Sequence, residues 1–205
     1  MCGRFVLITD LSAIAEKFGV HDVSVHFSPS RNVSPGQHIP ALIRRDNQNM
    51  MASYLWGLIP FWAIDPSIGA KLINARAETV AQKPSFKNAF LQRRCLIPAD
   101  AFYEWKSEGK KKIPYSFSLK SGAPFVFAGL YEQWISADKK NVKTCTIITT
   151  QANRVVEPIH DRMPVIVPMV VQELWLNPEI KDPSRLLDIL KPYPAEELVC
   201  KPADF

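Results

Sequence analysis

The stretch Cys95-Leu-Ile-Pro-Ala-Asp-Ala-Phe-Tyr-Glu-Trp-Lys-Ser-Glu-Gly-Lys-Lys-Lys-Ile-Pro-Tyr-Ser-Phe-Ser-Leu119 decides how this chain folds. Cys95 to Pro98 is a short apolar strand, and Phe102 to Ser107 is a second. Glu108-Gly109-Lys110 is a turn, and Tyr115 to Leu119 alternates and returns as the hairpin partner. Alternation puts Phe102, Glu104 and Lys106 on one face and Tyr103 and Trp105 on the other. Taken alone, Glu104 reads as a solvated-face residue. Flanked by aromatics, it also reads as a partly desolvated acid able to carry a proton near neutrality.

Working outward, strands keep pairing with near neighbours. Cys2 to Ile8 reads as a strand, and Asp10 caps a short helix that stops at Gly19. Residues 21 to 38 read as an irregular loop. Ile39 to Arg44 and Met50 to Leu58 form a hairpin about Asp46-Asn47. Trp56-Gly-Leu-Ile-Pro-Phe-Trp62 is an aromatic crossing that no regular helix accommodates, its aromatics reading first as core. Pro84 to Gln92 reads as a short helix with proline in its first turn. Phe125 to Tyr131, Val142 to Thr150 and Val165 to Val167 are strands. Helices are expected around Asn153 to Val156, at Val171 to Leu176 and at Ser184 to Leu190, with a proline-rich tail strapped over the surface. Crossover helices are few, so the expected fold is α+β: a single domain, residues 1 to 205, around a curved, mostly antiparallel sheet or barrel with short peripheral helices.

Composition agrees with that class. The 205 residues are 47% apolar and 22% charged, ordinary globular values. No apolar run approaches a membrane span of ~20 residues, and no signal peptide is evident, so an intracellular, cytoplasmic protein is expected. Cys2, Cys95, Cys145 and Cys200 form no C-x-x-C pair and lie far from histidines in sequence. Neither a metal site nor disulfides are expected. A formal charge of +5 is compatible with nucleic acid without demanding it.

Polar residues stand where core is otherwise expected at Asn74, Glu104 and His160. Each has a bland reading, as turn former, solvated face or structural hydrogen-bonding residue. Cys2 has the most distinctive chemistry. With Met1 removed it carries an α-amine and a thiol on adjacent carbons, able to condense with an aldehyde to an imine and then a thiazolidine. Those groups titrate near about 8 and 8.5, so a neighbouring acid or base assists. With Met1 retained, Cys2 is simply a small apolar residue that opens a strand.

Four segments together resemble the SRAP (SOS-response-associated peptidase) family. They are Met1-Cys-Gly-Arg-Phe5; Trp56-Gly-Leu-Ile-Pro60 with Trp62 and Asn74-Ala-Arg-Ala-Glu78; Pro98-Ala-Asp-Ala-Phe-Tyr-Glu-Trp-Lys106; and Pro158-Ile-His-Asp-Arg-Met-Pro164. They occur in the family's order over residues 1 to about 168. The resemblance implies an abasic-site sensor that binds single-stranded DNA and cross-links to the ring-opened sugar as a thiazolidine. It implies no cofactor, a nucleoid association when bound, possible self-removal of Met1 and weak lyase activity. Cys2 would supply amine and thiol, Asn74 would position them, Glu104 would transfer protons, and His160 would be a second acid/base. Arg4, Arg76 and Arg162 each follow a proposed catalytic residue by two and would clamp phosphates. Trp62 and Trp105 are stacking candidates, with Asn32, Ser85, Lys87 and Thr149 as further DNA contacts. The Pro84-Ser85-Phe86 region is a candidate wedge. Two other classes stay open: an N-terminal-nucleophile peptidase using Cys2, and a non-catalytic nucleic-acid-binding module. A monomer is the simplest state.

Overall fold

The computed structural model describes residues 2–20, 22, 23 and 25–204. Its elements run β1 (Phe5–Leu7), α1 (Leu11–Lys17), β2 (Asp22–Val23), β3 (Ser30–Val33), β4 (His38–Arg45), β5 (Gln48–Trp56) and β6 (Asn74–Arg76). They continue with α2 (Lys87–Gln92), β7 (Arg94–Ala99), β8 (Ala101–Glu108), β9 (Lys111–Leu119), β10 (Phe125–Ile135) and β11 (Asn141–Gln151). The last are β12 (Arg162–Pro164), α3 (Met169–Leu176), α4 (Pro183–Leu187) and β13 (Leu198–Pro202).

Local chemistry sets the hairpins. Asp46 and Asn47, at φ 50 and 60, make the tight link between β4 and β5. Asn and Asp tolerate that left-handed region better than other side-chain-bearing residues. Gly109, at φ 61, does the same between β8 and β9.

Long-range pairing then closes the structure. Antiparallel ladders join β11 to β10, β10 to β7, β7 to β4 and β4 to β5. β5 returns parallel to β11 through Thr144↔Leu55 and Cys145↔Trp56, so five strands form a closed barrel. A second sheet, in the order β13-β9-β8-β1-β3, packs against it. Its inward residues Phe5, Phe102 and Phe117 are fully buried. Phe102 stacks on Phe117 with centroids 5.0 Å apart, and Phe5 meets the barrel residues Trp56 and Phe127 at 5.4 and 5.8 Å. Each such burial contributes about 1.5–3 kcal/mol before conformational entropy is counted. The chain then leaves β5 through Gly57, at φ 137, where a Cβ would lie 2.8 Å from the Gly69 carbonyl oxygen. Only glycine fits both the dihedral and the gap.

Several expected elements differ. Residues 21–38 carry β2 and β3; short strands of mixed polarity give no alternation to read, and residues 21 and 24 lie outside the described set. Pro84 precedes α2 rather than opening it. Residues 154–159 are turns, because the Asn153 carboxamide accepts the Val155 and Val156 N–H groups. The tail is not merely strapped down: β13 pairs with β9 from Leu198↔Leu119 to Pro202↔Tyr115. Phe205 is outside the described residues.

Candidate active site and nucleic-acid interface

β11 assembles one side of the site. Beyond its barrel pairing it takes β6 in parallel on one flank, Ile147↔Asn74 and Thr149↔Arg76, and β12 on the other, Thr149↔Pro164 and Gln151↔Arg162. Asn74, Arg76 and the 160–162 segment therefore converge around Thr149. The Ile73 carbonyl anchors Asn74: it accepts the Trp56 indole N–H at 2.9 Å, the Ile147 N–H at 3.2 Å and the Asn74 Nδ2 amide at 3.0 Å. With its nitrogen so engaged, Asn74 leaves Oδ1 buried and without a hydrogen-bond partner, an arrangement that costs stability unless another donor arrives.

β8 supplies the other side. Phe5 pairs with Phe102, and the Tyr103 N–H donates to the Arg4 carbonyl at 3.0 Å, carrying the amino-terminal segment along β8 toward Glu104. Cys2 is completely buried and Glu104 is only 2% exposed, so the solvated-face reading of Glu104 does not hold. The face was set by Phe102, whose ring belongs to the core and takes Glu104 inward with it. Burial pushes the Glu104 carboxyl up to about 7, with the Asp161 charge adding to the rise. Burial also pushes the Cys2 thiol well up; the Glu104 charge adds, while a hydrogen bond from the Arg4 backbone opposes it.

His160 completes the group. Its Nε2 lies 4.0 Å from Glu104 Oε2. Its Nδ1 accepts the Arg162 backbone N–H at 2.9 Å, and burial lowers its pKa, so the neutral ring carries its proton on Nε2, toward Glu104. The Asp161 carboxylate also comes within 3.0 Å of Nδ1. It is largely exposed, and a nitrogen whose lone pair already takes an N–H has no proton to offer it. The result is an acid near its midpoint at neutral pH facing a neutral imidazole N–H beside a thiol.

The expected DNA contacts divide. Arg4 Nη1 donates to Asn32 Oδ1 at 2.6 Å, so those two are one unit. Arg76, Lys87 and Trp62 are exposed; Trp105 and Ser85 are half-buried. Trp56 is core, while Phe61 and Trp62 stand out at 52% and 48% exposure, splitting the aromatic crossing in two. Three expectations need correction. Arg162 is not an open clamp: Nη1 and Nη2 meet Glu78 at 2.6 and 3.0 Å, and Nη2 also donates to the Thr149 carbonyl at 2.7 Å. Thr149 is fully buried beneath that guanidinium because β11 is covered on both edges there. Phe86 is 3% exposed and packs into the core, so it offers no wedge as it stands. Glu78, a carboxylate two residues beyond Arg76, gives no local hint of its distant partner. Among the described residues, no group of three or more His, Cys, Asp or Glu is placed to hold a metal ion, and no helix is long and apolar enough to cross a membrane.

The fold and site together define a small α+β protein in which Cys2, a buried acid and a histidine are grouped. The chain belongs to the SOS response associated peptidase (SRAP) family, whose profile matches residues 1–204. It is 47% identical over 201 residues to the abasic site processing protein YoqW of Bacillus subtilis (strain 168), covering 97% of this chain and 90% of that protein. It is 31% identical over 189 residues to the abasic site processing protein YedK of Escherichia coli (strain K12), covering 88% of this chain and 81% of that one. A crystal structure of a protein from Bacteroides thetaiotaomicron superposes with a TM-score of 0.90 at 28% identity, covering 99% of this chain and 92% of that chain.

Proposed function

We propose that this chain processes abasic sites in single-stranded DNA by cross-linking to them through Cys2 once Met1 has been removed. Met1 lies outside the described residues. The observation that carries the reading is the Cys2–Glu104–His160 grouping, with the orphaned Asn74 Oδ1 on β6 as a ready acceptor for an amine N–H.

The chemistry balances without a cofactor. The Cys2 amine adds to the sugar aldehyde to give a carbinolamine, which loses one water to an imine. The thiol then adds across the C=N bond, its proton ending on nitrogen, and closes a thiazolidine. Glu104, near its midpoint at neutral pH, donates the proton that lets water leave and accepts the thiol proton afterwards. The His160 Nε2–H stabilises charge on the sugar oxygen as the ring opens. Arg76, Lys87, Trp62, Trp105 and the Arg4–Asn32 unit hold the strand; Ser85 borders it. Arg162 and Thr149 shape the site from beneath, through Glu78. An imine also permits β-elimination, the basis of a weak lyase activity. Self-removal of Met1 would use the same thiol and acid. The chain acts inside the cell as a monomer.

Cys2→Ala tests this directly. It keeps single-strand affinity and loses the stable cross-link to an oligonucleotide bearing one abasic site, read on a denaturing gel; an undiminished heat-stable adduct would show another linkage. The peptidase reading predicts instead turnover of amide substrates in trans.

A further inference from the structure

The outer face of the second sheet continues from Arg4 into a row of residues that the site itself does not use. Arg4 lies opposite Tyr103, Tyr103 pairs with Ser116, and Ser116 pairs with Lys201. Directly opposed residues share a face, and the alternate positions Phe102 and Phe117 point into the core. The row therefore crosses the β1 edge, β8, β9 and β13 on the solvent side. From Tyr103 onward it lies in a groove of about 540 Å³ lined by Arg31, Asn32, Tyr103, Ser116 and Lys201 among others, with Asp204 as an acidic member.

The chemistry along the groove is graded. Arg4 and Asn32 form its head, next to the Cys2 segment. The Tyr103 hydroxyl donates to the Arg31 carbonyl at 3.2 Å, and its ring lies 6.5 Å from Trp105, so two aromatic surfaces adjoin. Arg31, beside Asn32 on β3, is an exposed cation at the head, and Lys201 on β13 is an exposed cation three strands beyond β1, with serine hydroxyls between them. Cations for phosphates on either side of aromatic faces for bases are what a single strand needs. Three strand spacings of roughly 4.8 Å give about 14 Å, room for about four stacked nucleotides at roughly 3.4 Å each.

We propose that this groove holds the single-stranded DNA that flanks the lesion on one side, leaving the reactive site across β8, β9 and β13. The proposal rests on the abasic-site reading and adds the strand's path. Its occupant is a phosphodiester chain, gripped by Arg31 and Lys201 and stacked on Tyr103.

The test measures anisotropy of fluorescent oligonucleotides that carry a tetrahydrofuran abasic analogue, which cannot cross-link. One oligonucleotide extends about six nucleotides on both sides, and two stop at the analogue on one side or the other. For the double variant Arg31→Ala with Lys201→Ala, the slope of log affinity against log salt with the long oligonucleotide falls by roughly 1.4, two single-strand phosphates' share. One of the two truncated oligonucleotides shows no such change, which gives the polarity of the path. Cross-linking to a true abasic site at saturating DNA is retained. Tyr103→Leu lowers affinity for the long oligonucleotide several-fold without changing the slope. An unchanged slope in the double variant, with wild-type chain that binds and cross-links, overturns the groove alone. A wild-type chain that binds none of the oligonucleotides overturns the groove and the abasic-site reading together.

Discussion

Glu104 concentrates the chemistry of the molecule in one side chain. The folded chain holds its proton up to about pH 7, whereas an unperturbed glutamic acid releases it near 4.5. A raised carboxyl pKa means folding takes up a proton between those values. Its contribution to stability is therefore full below about 4.5 and lost as pH rises through about 7, on the order of 3 kcal/mol in all. Glu104→Gln, which is uncharged throughout, should match the wild type in chemical denaturation near pH 4.5 and exceed it at pH 8. The same variant should cross-link about 10²–10⁴-fold more slowly at neutral pH, since it can neither donate nor accept the proton. Equal pH dependence of stability in both proteins would mean that Glu104 is not held in its acid form. That Glu104 and Phe102 share a face was legible from alternation alone. Which face turns inward required weighing Phe102 against Lys106, and the core aromatics decide for Phe102. The proton position on His160 was not legible, because it depends on a main-chain N–H two residues on.

The elements that hold this site are unevenly legible in the sequence, and the reason is range. The β4–β5 and β8–β9 hairpins announce themselves through Asp46-Asn47 and Gly109, because turn chemistry is local. The parallel pairings of β5 and β6 with β11 join segments some 70 to 90 residues apart and leave no mark in either partner. Arg94 is a similar case. It is 3% exposed and donates to the carbonyls of Phe90, Trp175 and Ile180 at 2.8, 2.6 and 3.1 Å, and to that of Asn177. One guanidinium thus satisfies main-chain acceptors from α2, from the end of α3 and from the segment after it, where helices leave carbonyls unpaired. Burial lowers its pKa to about 10, so it stays charged at neutral pH. Arg94→Met keeps much of the volume but strands these carbonyls, and should cost roughly 2–4 kcal/mol in urea denaturation. Arg94→Lys, with the charge but no planar fork, should fall between. A change within ~0.5 kcal/mol would show that other donors or water replace the guanidinium.

At the scale of the whole molecule, a closed barrel and a second sheet bring the two ends of the site together from far-apart parts of the sequence. The amino-terminal segment arrives along β8, and Asn74 and His160 arrive along the two flanks of β11. The four motif segments carry Cys2, Asn74, Glu104 and His160 in sequence, whereas the burial of Thr149 and Phe86 and the tie between Arg162 and Glu78 depend on packing between distant segments. The most direct measurement is intact-protein mass spectrometry before and after incubation with a single-stranded oligonucleotide that contains one abasic site. The expected result is a chain lacking the Met1 mass, which then gains the oligonucleotide less one water. A chain that keeps Met1 and gains nothing would contradict it.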